Sequence, residues 1–204
     1  MNKPIKIDPA LFIGDGTERL CYLHPENHGL CIKIPRSSEL MKQHRHDLKI
    51  YAKLAKRKRL FRHIAPFLGT VKTDRGEGLL FETVRNPDES TAISLLHYLY
   101  HMPEKIDEAM IEALRELETF IKRERIVLKD PSPSNLLYKK EGSGGRFVII
   151  DGIDLTPFPI YADFRVSKQW EKVLRRVYRE SARHPKLRTL LARAWPGLFS
   201  QVKP

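Results

Sequence analysis

The sequence predicts an α+β protein made of two lobes. Short strand patterns separated by turns fill the first part of the chain, and amphipathic helical patterns dominate the rest. The polar stretch at residues 85–90 separates the two parts and is the expected hinge. The 204 residues, 41% of them hydrophobic, are enough to bury a sizeable core. We therefore expect an N-lobe at residues 1–86 and a reduced helical C-lobe at residues 87–204.

Strand patterns define the expected N-lobe. Short apolar runs predict strands at residues 11–13, 20–23 and 30–34, joined by a glycine turn at 14–17 and a second turn at 24–29. Ser37 and Ser38 can cap a helix, and residues 40–55 place apolar side chains on one face and basic side chains on the other. Residues 67–72 and 78–84 predict a further hairpin. These elements would form an antiparallel sheet with one basic amphipathic helix.

Helical patterns define the expected C-lobe. Two helices are predicted at residues 91–101 and 106–123, and apolar positions in the second follow a helical spacing, namely Ile106, Met110, Leu114, Leu117 and Ile121. Short strands are expected at residues 126–128, 136–138 and 147–150. The tail at residues 164–198 predicts two helices with a break near Pro185.

The charge of the chain favours anionic partners. Its formal net charge is +12, and basic residues cluster at 42–62, 122–125 and 175–193. These clusters are explained either by solvated helix faces or by a surface that attracts an anionic molecule. Two cysteines are too few for a disulfide framework, so we expect reduced, strand-buried thiols. Because no secretory signal and no transmembrane stretch is recognisable, the expected location is the cytoplasm.

Three oxygen-bearing side chains form the strongest chemical pattern. Asp130 and Asn135 belong to a loop before a short strand, and Asp151 ends an apolar run one hairpin later. Adjacent strands would bring Asn135 and Asp151 together, and their oxygens suit a Mg²⁺ ion that is also bound by phosphate and water. Asp130 could then accept a proton from an attacking hydroxyl. The alternative is that these residues only form ordinary turns.

A second pattern in the N-lobe suits phosphate. Gly14 and Gly16 lie between two strands, where glycines allow the backbone to approach a ligand and its amides to hold phosphate oxygens. Lys33 alternates with apolar neighbours on a strand that otherwise looks buried, which favours an anionic partner. An ordinary hairpin turn and a lysine on an edge strand are the alternatives.

In this order, the residues resemble the protein-kinase-like fold, whose signature is a glycine loop, a strand lysine, an H-R-D-x-x-x-x-N loop and a D-F-G turn. The resemblance implies ATP and Mg²⁺ binding, with nucleotide between the lobes and phosphoryl transfer as the activity. Lys33 would pair with the nucleotide phosphates, and Asp47 would replace the usual helix glutamate as its partner. Asp130 would be the catalytic aspartate, while Asn135 and Asp151 would bind the metal.

More narrowly, the chain resembles the bacterial YrbL-type proteins, which are named for the PhoP regulatory network. Four segments carry this likeness, at residues 21–26, 31–34, 69–74 and 125–127. Their shared order along the chain is more specific than any one segment. The resemblance implies a kinase-like phosphotransferase without indicating its acceptor, although the basic charge would suit an anionic one.

Several positions depart from the kinase pattern. Leu128 and Lys129 occupy the places of histidine and arginine before the catalytic aspartate, and Ser132 replaces a lysine that often follows it. Arg19 stands where a third glycine is usual, and Gly152 follows Asp151 where phenylalanine is expected. With the short stretch after Asp151, these departures also fit a pseudokinase-like regulatory module that binds nucleotide or a protein partner without turnover. Nucleic-acid binding is a third alternative, which lacks a recognisable recognition element.

Overall fold

The computed structural model describes residues 3–16, 18–57, 61–155 and 159–199. The chain divides into two compact units, Met1–Arg85 and Asn86–Pro204. The strands are β1 Phe12–Asp15, β2 Arg19–His24, β3 Asn27–Pro35, β4 Phe67–Thr73, β5 Gly76–Glu82, β6 Ile93–Ser94, β7 Ile126–Leu128, β8 Leu136–Glu141, β9 Gly144–Ile149 and β10 Ile153–Leu155. The helices are α1 Met41–Ala55, α2 Leu95–His101, α3 Glu108–Glu124, α4 Pro159–Glu180, α5 Pro185–Ala194 and α6 Pro196–Phe199.

The first unit is built on a five-stranded antiparallel sheet. Its strand order is β1-β2-β3-β5-β4, so β3 is the central strand. On one face of the sheet, Tyr22, Ile32 and Ile34 form a buried cluster with Ile7. The predicted six-residue turn after β2 is wrong, because His24 already pairs with Asn27 and only two residues lie between the strands.

Helix α1 belongs to the first unit and contributes to an aromatic cluster. The Tyr51 ring lies edge-on to Phe81, with ring centroids 4.9 Å apart, and both rings contact Phe67. The predicted helix over residues 40–55 is therefore confirmed within one residue. The predicted serine cap is wrong, because a 3-10 turn at Ser38–Leu40 precedes the helix and places Leu40 at the N-cap position.

The second unit combines two small antiparallel sheets with helices. One sheet has the order β6-β8-β9, and β7 pairs with β10 in the other. The predicted helix start at residue 91 is wrong, because residues 93–94 pair with β8 and Ser94 caps α2 by accepting a hydrogen bond from the His97 amide. Helix α3 contacts β9, and its buried residues confirm the predicted helical spacing at Met110, Leu114, Leu117 and Ile121. The predicted start at Ile106 is wrong, because Asp107 caps the helix and Ile106 lies before it.

The tail is helical, and its break lies where the sequence predicted it. Helix α5 begins with Pro185, whose fixed backbone suits the first helical turn. Helix α4 begins before the predicted tail helix, at Pro159. Among the helices of the described residues, none is long and apolar enough to cross a membrane.

Candidate functional site

The loop between β7 and β8 is fixed by the segment that follows Asp151. The Gly152 carbonyl accepts hydrogen bonds from the amides of Lys129 at 2.6 Å and Asp130 at 3.4 Å. These bonds continue the pairing of β7 with β10, in which Leu128 is opposite Ile153. The backbone of the predicted catalytic aspartate is therefore tied directly to the predicted metal-binding turn.

Asn135 closes this loop through its side chain. Its Nδ2 donates to Asp130 Oδ2 at 2.9 Å and to the Asp130 carbonyl at 3.3 Å. Because the amide nitrogen is used in this way, the amide oxygen is the atom that could accept a metal ion. Asp130 is exposed, and its Oδ1 accepts no hydrogen bond from any residue that the structure describes.

Asp151 joins Asp130 and Asn135 through its two chain neighbours. The Ile150 amide donates to the Asn135 carbonyl at 3.0 Å, while Gly152 bonds to the Asp130 loop. The Gly152 amide also donates to Asp151 Oδ1 at 2.8 Å, which turns this carboxylate back over its own backbone. The structure thus places all three predicted residues of the second unit in one connected cluster.

Gly152 occupies a position where both the backbone conformation and the space beside Asp130 favour glycine. Its φ is +68°, in the left-handed region that favours glycine. A Cβ atom added there would lie 2.9 Å from the Cβ of Asp130 and 3.1 Å from its backbone nitrogen. The glycine after Asp151 therefore allows the close approach between this turn and the Asp130 loop.

The donor set of this cluster fits Mg²⁺. Two carboxylates and an amide oxygen are hard ligands, and Mg²⁺ bound with a nucleotide needs only one or two protein carboxylates. Within the described part of the chain, no three His, Cys, Asp or Glu side chains are grouped as a metal site of their own. Asn135 and Asp151 are the residues that would hold the ion alongside phosphate oxygens and water.

Arg176 is a further residue at this loop that the sequence did not reveal. Its Nη1 donates to Ser132 Oγ at 3.2 Å, although it lies 44 residues further along, in α4. Ser132 is buried and also hydrogen-bonds to the Ser134 hydroxyl at 2.7 Å. The Nε of Arg176 is buried and has no hydrogen-bond partner among the described residues. A guanidinium from α4 thus stands beside the position where the kinase pattern often has lysine.

In the first unit, Lys33 lies in the middle of the central strand. Its Cα is opposite Cys21 on β2 and Leu79 on β5, and the residue is only 8% exposed. Its Nζ lies 5.0 Å from the centroid of the Phe81 ring. The alternative of a lysine on an edge strand is therefore wrong. Lys33 thus places a buried ammonium group on the central strand, beside the Phe81 ring.

Gly14 is aligned with Lys33 across the sheet. Gly14 pairs with Cys21, which in turn pairs with Lys33, so the three residues form one row over neighbouring strands. Gly14 lies within β1, not in the predicted turn, and an added Cβ there would be at an ordinary 3.5 Å from the Cys21 Cβ. Thr17, which completes the predicted turn, lies outside the described residues.

Gly16 is explained by the geometry of the hairpin. Its amide donates to the Arg19 carbonyl at 3.0 Å, and an added Cβ would lie 3.0 Å from that same oxygen. Its carbonyl accepts from Arg36 Nε at 2.7 Å, and Arg36 also forms an ion pair with Asp15. Because the Gly16 amide already has a partner, holding phosphate would require other amides of the turn.

Asp47 has a partner that the sequence analysis did not assign to it. Its Oδ2 accepts a hydrogen bond from Arg19 Nη1 at 2.5 Å, and both side chains are buried. Asp47 lies one helical turn before Tyr51, on the side of α1 that contacts the aromatic cluster around Phe81. Arg19, at the place of the missing third glycine, therefore joins β2 to α1. The predicted pairing of Asp47 with Lys33 stays a prediction.

Two titratable groups in the first unit have shifted pKa values. Burial lowers the pKa of His44, and the charge of Arg19 lowers it further, while Glu77 and Asp47 oppose the shift. Neither ring nitrogen of His44 has a hydrogen-bond partner among the residues that the structure describes. A hydrogen bond with Cys21, aided by the positive charge of Lys33, lowers the pKa of the Cys31 thiol against the effect of burial. Both cysteines are free thiols; Cys31 is buried as expected, whereas Cys21 is only half-buried.

The fold defines the class of protein. The chain has a protein-kinase-like fold, because it is similar to solved kinase structures over most of its length. The Rad53 1-466 structure in complex with AMP-PNP matches 89% of this chain and 50% of its own, with a TM-score of 0.59 and 16% identity. The Mycobacterium tuberculosis PknI kinase domain matches 90% of this chain and 85% of its own, with a TM-score of 0.55 and 16% identity. The predicted fold class is confirmed.

The family is defined by sequence. The family described as PhoP regulatory network protein YrbL matches residues 5–186, and the chain belongs to this family. The uncharacterized YrbL proteins of Escherichia coli (strain K12) and Shigella flexneri are each 32% identical to it over 136 residues. That match covers 65% of this chain and 65% of the length of each relative. The resemblance drawn from the sequence motifs is thus confirmed.

Proposed function

We propose that this chain is an ATP- and Mg²⁺-dependent phosphotransferase. The observation that carries this proposal is the cluster of Asp130, Asn135 and Asp151, which the β7–β10 pairing and the Asn135 side chain hold together. A predicted magnesium site and a predicted proton acceptor meet in one unit, where a short loop and one hairpin connect them. The anionic acceptor and the cytoplasmic location stay predictions.

Each residue of the cluster has a distinct role in the proposal. Mg²⁺ would neutralise charge on the nucleotide phosphates, and Asn135 and Asp151 would hold it. Asp130 would orient the acceptor hydroxyl and accept its proton, because its Oδ1 is exposed and accepts no hydrogen bond from the described residues. Phosphoryl transfer depends on such positioning and charge neutralisation more than on covalent chemistry by the protein.

The first unit would supply phosphate binding in the same proposal. Lys33 carries a buried ammonium group on the central strand, and Gly14 lies in the same row two strands away. A lysine with little access to water attracts phosphate more strongly than an exposed one, because the surrounding dielectric is low. We assign phosphate contact to Lys33 and a supporting position to Asp47 on α1.

A regulatory module without turnover is the second candidate, and one observation favours it. Leu128, at the place of the usual histidine, is 2% exposed and pairs with Ile153 inside the β7–β10 sheet. It acts as a core residue and has no polar group to contribute to catalysis. This candidate shares nucleotide binding with the first and differs only in turnover.

Nucleotide titration and a turnover assay separate the two candidates. Calorimetry would measure ATP binding with and without Mg²⁺, and ADP release would measure turnover. We expect Asp151→Asn to weaken Mg²⁺-dependent binding by at least about tenfold. Asp130→Asn should keep binding and lower turnover by about 10²–10⁴-fold, the usual contribution of a general base.

Asp154→Asn is the matched control for these variants. Asp154 lies three residues after Asp151, and its carboxylate faces Arg165 at 3.9 Å. It should behave as the unmodified protein. Binding without turnover in the unmodified protein would favour the regulatory module. No binding of ATP with Mg²⁺ would contradict the phosphotransferase and also a regulatory module that binds nucleotide.

A further inference from the structure

The second unit contains a cavity that the proposed function does not use. Its volume is about 190 Å³, and it is lined by Ile93, Tyr98, Met102, Lys105, Asp107, Met110, Tyr138 and Lys140. The deep part is buried, because Met110, Tyr98 and Tyr138 are 3%, 4% and 6% exposed. Lys105, Lys140 and Asp107 are exposed and form the rim. The cavity is thus apolar inside and charged at its mouth.

Two tyrosine hydroxyls in this cavity lack a protein partner. The rings of Tyr98 and Tyr138 meet edge to face, with centroids 6.0 Å apart. Across residues 3–16, 18–57, 61–155 and 159–199, neither hydroxyl has a hydrogen-bond partner. Burial raises the pKa of both phenols, so each is a protonated donor at neutral pH. A hydroxyl at the cavity wall without a protein acceptor can donate to the oxygen of a ligand.

The charges at the rim favour a negative ligand group. Neither Lys105 nor Lys140 forms an ion pair with any residue in the described ranges, although Lys140 lies near enough to Asp88 for its charge to add to hydrogen bonding in lowering the pKa of that carboxyl. The one carboxylate among the lining residues, Asp107, accepts a hydrogen bond from the Met110 amide through its Oδ1 and keeps its negative charge, which adds to burial in raising the pKa of Tyr138. The rim therefore carries two ammonium groups and one carboxylate, which leaves a net positive charge to attract an anion.

We propose that this cavity binds a small organic anion, with an apolar ring against Met110 and a carboxylate near Tyr98, Tyr138 and the two lysines. The volume fits such a ligand, since an engineered apolar cavity of about 150 Å³ holds benzene. The remaining volume accommodates one small polar group. The residues that line this cavity include none of those assigned to nucleotide or Mg²⁺, and the test does not require catalytic activity.

Ligand-observed NMR with three probes tests the proposal on the full chain. Benzoate, benzyl alcohol and benzylamine share the ring and differ in the charge of the substituent. We expect benzoate to bind most tightly and benzylamine least. Equal affinity for benzoate and benzylamine would contradict the proposed anion site, and so would the absence of benzoate binding.

Conservative variants locate the bound benzoate. Tyr98→Phe combined with Tyr138→Phe removes both donors while keeping the rings, and should weaken binding about tenfold. Lys140→Met should weaken it about threefold, because a rim charge is screened by water. Lys139→Met is the matched control, since the next residue on β8 points to the other face of the strand. The proposal would be overturned if the tyrosine double variant bound benzoate as tightly as the unmodified protein. It would also be overturned if Lys139→Met weakened benzoate binding as much as Lys140→Met, because the ligand would then lie elsewhere.

Discussion

The candidate residues of the two units are held in place by different forces. In the second unit, the loop that contains Asp130 is fixed mainly by backbone hydrogen bonds to Gly152 and by the Asn135 amide. In the first unit, charged side chains fix the corresponding elements. Arg19 binds Asp47 and so joins β2 to α1, while Arg36 binds both Asp15 and the Gly16 carbonyl.

This difference predicts that the two units are sensitive to different kinds of substitution and to different solution conditions. Backbone hydrogen bonds between neutral groups do not titrate, and salt screens them little. Ion pairs depend on ionic strength, and a buried pair cannot lose one member without leaving a charge uncompensated. The candidate metal cluster should therefore be sensitive to backbone geometry, and the candidate phosphate-binding unit should be sensitive to charge, burial and pH.

Removing the charge of Asp47 should have the largest effect on stability. Arg19 and Asp47 are both buried, and Arg19 Nη1 lies 2.5 Å from Asp47 Oδ2. Asp47→Asn would therefore leave the Arg19 guanidinium buried without that carboxylate. We expect the free energy of unfolding of the first unit to fall by about 3–5 kcal/mol. Urea denaturation at neutral pH measures this loss.

A double variant shows which interaction is responsible. Arg19→Met combined with Asp47→Leu removes both charges, and apolar replacement of a buried pair is often close to neutral. We expect this double variant to be more stable than Asp47→Asn alone. A double variant as unstable as the single one would show that Asp47 acts through another cation, and Lys33 is the partner that the kinase resemblance implies.

Changing Gly152 should have the next largest effect, in the second unit. Gly152→Ala adds a Cβ 2.9 Å from the Cβ of Asp130, at a backbone φ of +68°. Backbone strain and crowding together should lower the free energy of unfolding by about 2–3 kcal/mol. This loss should not change with salt, because no charge is removed.

Gly142→Ala is the control that separates strain from crowding. Gly142 has a φ of +53°, and an added Cβ there meets nothing within 4 Å. Its substitution should cost only the left-handed strain, about 1 kcal/mol. Equal losses for the two glycines would contradict a tight fit between Gly152 and the Asp130 loop.

The sequence was most informative where the signal is local. The spacing from Asp130 to Asn135 and the apolar run before Asp151 predicted the cluster, because the loop and hairpin that connect these residues are short. Strand β10 was missed, since three residues after a glycine give no alternating pattern. That strand nevertheless carries the pairing with β7 that brings the Gly152 turn to Asp130.

Long-range side-chain pairs could not be predicted from one sequence. Arg19 lies 28 residues from Asp47, and Arg176 lies 44 residues from Ser132. Each of these arginines belongs to a chain with 37 basic residues, most of which would serve equally well as solvated charges. Only the packing of α1 and α4 distinguishes the two arginines from the others.

The pH dependence of the free energy of unfolding should report the lowered pKa of His44. Its pKa is lowered in the folded chain, chiefly by burial, so the unfolded chain binds a proton more readily. The stability contributed by the neutral ring is complete above the unfolded pKa of about 6.5 and is lost as pH falls towards the folded pKa. The slope in that interval should approach about 1.4 kcal/mol per pH unit.

Two histidine variants isolate this effect in urea denaturation across acidic pH. His44→Phe keeps an aromatic ring and should flatten the pH dependence, since neither nitrogen has a hydrogen-bond partner among the described residues. His28→Gln is the control, because His28 is exposed on β3. An unchanged profile for His44→Phe would contradict the assignment, and so would a flattened profile for His28→Gln.

Removing Arg36 should have the smallest effect, although it also removes an ion pair. Arg36 and Asp15 are 37% and 63% exposed, so water and salt screen their attraction. Arg36→Gln should lower the free energy of unfolding by about 0.2–1 kcal/mol, and high salt should abolish the difference. Arg175→Gln, which breaks another exposed pair in α4, should give a similar value. A loss for Arg36→Gln as large as that for Asp47→Asn would show that exposed charges, and not burial, hold the first unit together. The difference between the two units would then be the presence of ion pairs in the first unit, whether these pairs are buried or exposed.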